Sequence, residues 1–227
     1  LIDLRNCEAN RAAMTHFKLS REEFFRNWSA LHGGAAIKGI VRVWLTISFA
    51  VCRFLAKVRI TPNGLTYLSL VFAGFYLYYI DSNWAIAFLV LSLMADGLDG
   101  TLAIITQRVT RWGAALDSVV DRIVETIWAI GLFQLGAPWQ IVLTAWLAAF
   151  AQEYMRARAG GLGIYEIGVV TISERPVRAT FIFIALVGRA FNLDIVDVVS
   201  GVWMAMQVFS ALTVLKVLRS LLQQSQR

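Results

Sequence analysis

The sequence predicts an all-α integral membrane bundle of six transmembrane helices, preceded by an N-terminal amphipathic interfacial helix region. Three observations predict it. Of the 227 residues 58% are apolar and only 16% charged, and the mean hydropathy of +0.64 exceeds that of an ordinary soluble domain. Several windows in succession approach the roughly 20 apolar residues a helix needs to cross a hydrocarbon core about 30 Å thick. Lys and Arg alternate between the connections, rich on one side and poor on the other.

Residues 1–62 read as a cytoplasmic, interfacial segment and 63–227 as the six-helix domain. The first residues, Leu1 to Asn10, have no apolar core and no cleavage signature, so no secretory peptide is expected there. "LSREEFFRNWSALHGG" (Leu19 to Gly34) predicts a helix capped by Ser20, with Glu23 completing a capping box and Gly33 stopping it. Phe24, Trp28 and Leu31 recur at helical spacing, as on an amphipathic surface helix. His32 between that helix and two glycines is a weak ligand candidate. Ile40 to Ile60 is apolar but interrupted by Arg42, Arg53, Lys57 and Arg59, which favours an interfacial helix over a span. "RITPNGLT" (Arg59 to Thr66) breaks the chain at Pro62, and Thr61 or Asn63 can cap the helix beyond it.

The expected spans are Gly64 to Ile80, Trp84 to Ile105, Gly113 to Gln134, Trp139 to Arg156, Arg178 to Ala190 and Ile195 to Val217. The fifth is short enough to borrow residues from the loop before it. Ten basic residues precede the first span, Arg108 and Arg111 lie in the second connection, Arg156, Arg158, Arg175 and Arg178 flank the fourth, and Lys216, Arg219 and Arg227 end the chain; the other connections hold only Arg189. This alternation predicts both termini and the two basic loops in the cytoplasm, in an inner or plasma membrane. The net charge of +6 is read as topology and attraction to anionic lipid. No nucleic acid partner is expected, since no separate soluble basic domain exists to present such a surface. Cys7 and Cys52 form no metal or disulfide spacing.

Against this apolar background, "MADGLDGTLAIITQRVTRWGAALDSVVDRI" (Met94 to Ile123) holds Asp96, Asp99, Asp117 and Asp121. Asp96 and Asp99 share a helical face near the end of the second span, and Asp117 and Asp121 lie one turn apart near the start of the third. The connection is short and the helices antiparallel, so the pairs can face each other, with Gly100, Ala103 and Gly113 as small residues that permit close approach. A charged side chain facing lipid costs about 2.5 kcal/mol or more, and four facing carboxylates also repel. Arg108, Arg111 and Arg122 are too few and too scattered to pair with them. Hard divalent ions with oxygen ligands, Mg2+ or Mn2+, resolve the repulsion, and two such ions about 4 Å apart can bridge phosphate oxygens and support in-line displacement. Other ionisable residues inside spans are few, mainly Arg122, Glu125 and Glu153.

Asp-x-x-Asp-Gly-x-x-Ala followed by Gly-x-x-x-Asp-x-x-x-Asp resembles the signature of the CDP-alcohol phosphotransferase family, D-x2-D-G-x2-A-R-x8-G-x3-D-x3-D. Asp96, Asp99, Gly100, Ala103, Gly113, Asp117 and Asp121 match seven of its eight fixed positions. The resemblance implies a two-ion site holding the diphosphate of a CDP-linked lipid donor, attacked by an acceptor hydroxyl that displaces CMP. It implies Asp96, Asp99 and Asp117 as metal ligands and Asp121 as general base and additional ligand. Gly100, Ala103 and Gly113, with Asn63 nearby, are the implied nucleotide contacts, and a homodimer is implied as well. Ile104 stands where the family has arginine. Arg108 or Arg111 can reach back to the donor phosphate in its place; otherwise the donor differs or activity is reduced.

The fourth connection, Met155 to Arg178, is the longest between spans, and long loops are often functional. Its Arg156, Arg158, Arg175 and Arg178 suit a phosphate or other anion, although positive-inside topology alone accounts for basic residues there. The "RAR…ERPxR" arrangement is similar to family members that use inositol phosphate or another phosphorylated polyol, so the expected acceptor is a polar, phosphorylated alcohol. Two other classes remain open at this level. A catalytically silent relative binding nucleotide or lipid is suggested by Ile104. A transporter using intramembrane carboxylates is disfavoured, because all four lie in one block rather than in paired, interrupted halves.

Overall fold

The structure, a computed structural model, describes residues 19–31, 34–164 and 170–224. Cys7, His32, Gly33 and Arg227 lie outside the described residues. Eight helices are described: α1 (Arg21–Leu31), α2 (Gly39–Lys57), α3 (Pro62–Tyr78), α4 (Trp84–Ile105), α5 (Arg111–Gln134), α6 (Trp139–Gly161), α7 (Arg175–Ala190) and α8 (Val196–Gln224). No strand occurs among the described residues. The six helices expected as spans are α3 to α8, with ends within a few residues of expectation except at the extended C-termini of α6 and α8. The fifth does borrow from its loop and begins at Arg175.

Local chemistry sets these limits. The Ser20 N–H donates to Glu23 Oε2 (2.8 Å) while the Glu23 N–H donates to Ser20 Oγ (3.2 Å), the reciprocal cap expected for α1. The same Ser20 backbone bond, the larger cause, and its hydroxyl hold the Glu23 carboxyl below its usual range. Thr61, not Asn63, caps α3 by accepting the Gly64 N–H at 3.1 Å, with Pro62 at the first helical position. Thr110 caps α5 in the same way through the Gly113 N–H at 2.9 Å. α4 stops where Gln107 adopts a left-handed φ of 54° and the Arg108 N–H reaches back to the Ala103 carbonyl at 2.8 Å.

Among the described residues three helices are individually long and apolar enough to cross a membrane: α2, α4 and α8. The sequence pattern favours an interfacial position for α2, which runs unbroken for 19 residues with its charges near its ends and an apolar middle long enough, by length and composition, to cross as well. The other described helices fall short of that mark because α1, α3 and α7 are only 11, 17 and 16 residues long and α5 and α6 are interrupted by charged and other polar residues.

The chain divides into two compact units. One comprises the described residues up to Thr66 with Ala95–Asp117, and the other Tyr67–Met94 with the described residues from Ser118 onward. In the first, Phe24 of α1 is fully buried against Phe49 of α2, ring centroids 5.3 Å apart. Leu45, Cys52, Leu98, Leu102, Ile104 and Ile105 complete that core. The Cys52 thiol donates to the Leu98 carbonyl at 3.3 Å, fixing α2 against α4. In the second unit α6 and α7 both pack on α8. There Tyr76 donates its hydroxyl to the Trp128 carbonyl at 3.2 Å, and its ring lies where any Cβ on Gly131 would stand, so only glycine fits.

Candidate functional site

The first unit encloses a cavity of about 300 Å3. Asp96 and Asp99 enter it from the last turns of α4, and Asp117 from the second turn of α5. Gly100, Ala103, Gly113 and Asn63 line it too, so every residue expected from sequence to touch nucleotide is gathered here. Because Thr61 takes the capping role, the Asn63 side chain is left to the cavity, its Oδ1 only 3.3 Å from where a Cβ on Gly113 would sit. Asp99 is buried at 7% exposure and accepts the Thr66 hydroxyl at 2.5 Å. Sequence reading missed Thr66, although its place one turn after Pro62, on the face with Asn63, is a signal once α3 is known to start there.

Carboxylate oxygens of Asp96 and Asp117 lie within 4.8 Å of one another, and on α5 that of Asp121, one turn on, lies within the same distance of Asp117. A donor set composed wholly of carboxylate oxygen fits a hard divalent cation. Of the two arginines expected to stand in for the missing one, Arg108 lines the cavity, turned back by the left-handed Gln107, whereas Arg111 does not line it. Ile104 lines the cavity while 94% of its surface is buried, at 6% exposure, in the core of the unit.

The second unit treats its charges differently. Arg178 is 1% exposed, and its guanidinium donates to Glu125 Oε1 (2.9 Å), Glu153 Oε1 (2.8 Å), Gln207 Oε1 (3.0 Å) and the Ser173 carbonyl (3.1 Å). Arg122 closes on the other Glu125 oxygen at 2.8 Å. Arg156 grips Glu174 with both terminal nitrogens, at 2.9 and 2.6 Å. Burial alone would raise the Glu174 carboxyl, but that grip and the N–H and hydroxyl of Thr171 outweigh it and hold the group at about 2. Arg175 pairs with Asp121 and lies over the Trp128 ring at 5.5 Å. Arg158 is exposed. Of the four arginines expected to meet an acceptor, Arg178 is thus an internal strut, while Arg156, Arg158 and Arg175 lie nearer the surface.

The described residues are all-helical outside their connections, with membrane-length apolar helices and a carboxylate-lined cavity beside small residues, the build of a membrane protein able to hold a divalent cation. The CDP-alcohol phosphatidyltransferase family model matches residues 59–217, and the chain belongs to that family and is a transferase of this kind. It is 31% identical over 165 residues to the archaetidylinositol phosphate synthase of Pyrococcus horikoshii, covering 69% of this chain and 86% of that one. It is 30% identical over 152 residues to the phosphatidylinositol phosphate synthase of Corynebacterium glutamicum, covering 61% and 66%. Among solved structures, the Mycobacterium tuberculosis phosphatidylinositol phosphate synthase with CDP-DAG bound superposes with a TM-score of 0.63 at 22% identity, over 76% of this chain and 94% of that one. The same enzyme has been solved in complex with manganese and citrate, again with a TM-score of 0.63 at 22% identity, over 75% and 88%.

Proposed function

We propose that the protein transfers a phosphatidyl-type group from CDP-diacylglycerol to the hydroxyl of a phosphorylated polar alcohol of the inositol phosphate class, releasing CMP. The observation that carries this reading is the set of carboxylates Asp96, Asp99 and Asp117 on a cavity they share with Gly100, Ala103 and Gly113, with Asp121 one turn further along α5. Both named relatives are inositol phosphate lipid synthases, which supports the acceptor class.

Asp96, Asp99, Asp117 and Asp121 would hold two divalent ions, Mg2+ or Mn2+. Bound there, such ions offset the carboxylate charge and neutralise that of the donor diphosphate. Asn63, Gly100, Ala103 and Gly113 receive the nucleoside, and Arg108 holds donor phosphate where the family has arginine in place of Ile104. Because Asp117 and Asp121 are one turn apart, a donor phosphate at Asp117 stands beside an acceptor hydroxyl at Asp121. Asp121 takes the hydroxyl proton; the acceptor oxygen bonds to the phosphorus that carries diacylglycerol; the bond from that phosphorus to the CMP oxygen breaks, and CMP leaves with the electron pair. Arg156, Arg158 and Arg175 receive the acceptor phosphate through charge-assisted hydrogen bonds. Arg178 serves the acceptor by holding Glu125 and Glu153 behind them. The setting is a homodimer with six spans, α3 to α8, carried by residues 63–227 behind the interfacial segment 1–62, in the plasma membrane with the site and both termini toward the cytoplasm.

Purified full-length protein supplied with CDP-diacylglycerol, Mg2+ or Mn2+ and a panel of acceptors tests the reading through CMP release. Phosphorylated polyols should release CMP, and Asp121→Asn should fall to background. If no acceptor yields CMP above the Asp121→Asn control, the transferase reading fails for these residues; if free inositol serves as well as its phosphate, the arginine assignment fails.

A further inference from the structure

The cavity that holds the carboxylates has a wall the family match does not cover. Trp28 and Leu31 of α1, and Trp44 and Leu45 of α2, line it, whereas the match begins at residue 59. Their placement is a consequence of packing: buried Phe24 pins α1 on Phe49 of α2, and Trp28, four residues on, shares the Phe24 face. Trp44 precedes Leu45, which is 2% exposed in the same core. Its indole lies on Gly97 of α4, with Cζ2 3.0 Å from where a Cβ would sit. Three residues further along that helical face, nothing lies within 4 Å of the corresponding point on Gly100. An indole therefore flanks an open, side-chain-free strip of helix inside the cavity, beside the Asp96 and Asp99 carboxylates.

That slot suits a flat, uncharged heteroaromatic ring. A charged phosphate gains nothing from an indole face, and an acyl chain has no reason to lie beside carboxylates. Resting on the assignment of a CDP donor to this cavity, we propose that Trp44 is a specificity-determining residue for the donor, its indole, seated on Gly97, forming the aromatic wall against which the pyrimidine base packs while the helix backbone at Gly100 forms the floor beside it. Gly97 and Gly100 then have distinct reasons to lack a side chain: the first admits the indole and the second admits the base. The N-terminal helices are thereby part of substrate recognition, not only an attachment to the lipid surface.

Mn2+-dependent binding of CDP and of inorganic diphosphate to the detergent-purified full chain tests this. Base stacking on an aromatic side chain is typically worth on the order of tenfold or more in affinity. Trp44→Leu keeps an apolar residue on Gly97 but removes the aromatic face, and should weaken CDP on the order of tenfold while diphosphate binding stays unchanged. Trp44→Phe should stay within about threefold of the parent. Gly97→Ala crowds the indole and should weaken CDP by a smaller factor. Equal CDP affinity for Trp44→Leu and Trp44→Phe overturns the proposal, as does a parallel loss of CDP and diphosphate binding. A parent protein that binds diphosphate but not CDP overturns instead the donor assignment on which the proposal rests.

Discussion

The two units meet negative charge inside an apolar protein in opposite ways. In the second, Glu125 is held by Arg178 and Arg122, Glu153 by Arg178, and Glu174 by Arg156. In the first, the buried Asp99 is met by the hydroxyl of Thr66 and lies on a cavity that Gly100 and Ala103 also line. A guanidinium cancels a carboxylate's charge, whereas a hydroxyl orients it and leaves it available to a cation. The difference separates Glu125, Glu153 and Glu174, whose charge is cancelled inside the protein, from Asp99, whose charge is not.

The largest expected effect breaks the comparison on the acidic side. Losing a group that merely supports a metal ligand costs about 10–100-fold in affinity or activity, so Asp96→Ala, which removes a proposed ligand, should lower Mn2+-dependent CDP binding by more than about 100-fold. Thermal stability without metal should be unchanged or higher, since a like charge has gone. Unchanged Mn2+-dependent binding in a calorimetric titration would contradict the metal assignment of Asp96. The opposite response belongs to Arg178. Arg178→Ala takes from Glu125 and Glu153 the guanidinium they share, 1% exposed, and leaves them only Arg122 and Arg156; it should destabilise the protein by up to about 3–5 kcal/mol, read as a lower unfolding midpoint in detergent. Pairing Arg178→Met with Glu125→Leu should recover part of that loss; a single variant as stable as the parent would show the network to be dispensable.

Glu174 sharpens the same contrast through pH. Its carboxyl sits at about 2 in the folded protein against a usual value near 4.5, so the folded state favours the ionised form. The stabilisation is complete above about pH 5 and is lost as the pH falls through 4.5 toward 2. The shift corresponds to at most about 3 kcal/mol, reduced by the group's partial exposure. Unfolding midpoints measured between pH 6 and pH 3 should fall more steeply for the parent than for Glu174→Gln. Superimposable curves would remove Glu174 from the set of paired acids.

Much of this was legible in the sequence because it is local. Helix spacing exposed α3 to α8, the Ser20–Glu23 cap needs only three residues of separation, and the four aspartates fall within 26 positions. The features that escaped are set by tertiary partners. Arg178 and Glu125 are 53 positions apart, and four basic residues around a loop read as topology or anion binding until their acids are placed beside them. The presence of Glu125 and Glu153 inside apolar helices was the available signal, since buried acids require partners. Trp44 escaped for the same reason: nothing local distinguishes a tryptophan on Gly97 from one facing lipid.

The smallest expected effect falls on Ile104, where the departure from the family pattern and the structure bear on each other. The residue lines the cavity yet is 6% exposed and packed in the core of its unit. In Ile104→Arg the aliphatic stem can follow the apolar wall and bring a guanidinium to the cavity, where a charge-assisted bond to phosphate is worth about 1.5–3 kcal/mol. Replacing a core isoleucine opposes that gain, so the net expectation is an affinity for CDP about threefold tighter with an unfolding midpoint a few degrees lower. Arg108 decides how this is interpreted. If it already holds the donor phosphate, Arg108→Ala should weaken CDP binding in the parent and Ile104→Arg should restore it. A cavity in which Ile104→Arg weakens binding in both backgrounds is one shaped around the isoleucine for a different phosphate position, and the acidic site would then be the unchanged half of a donor pocket whose other half has been rebuilt.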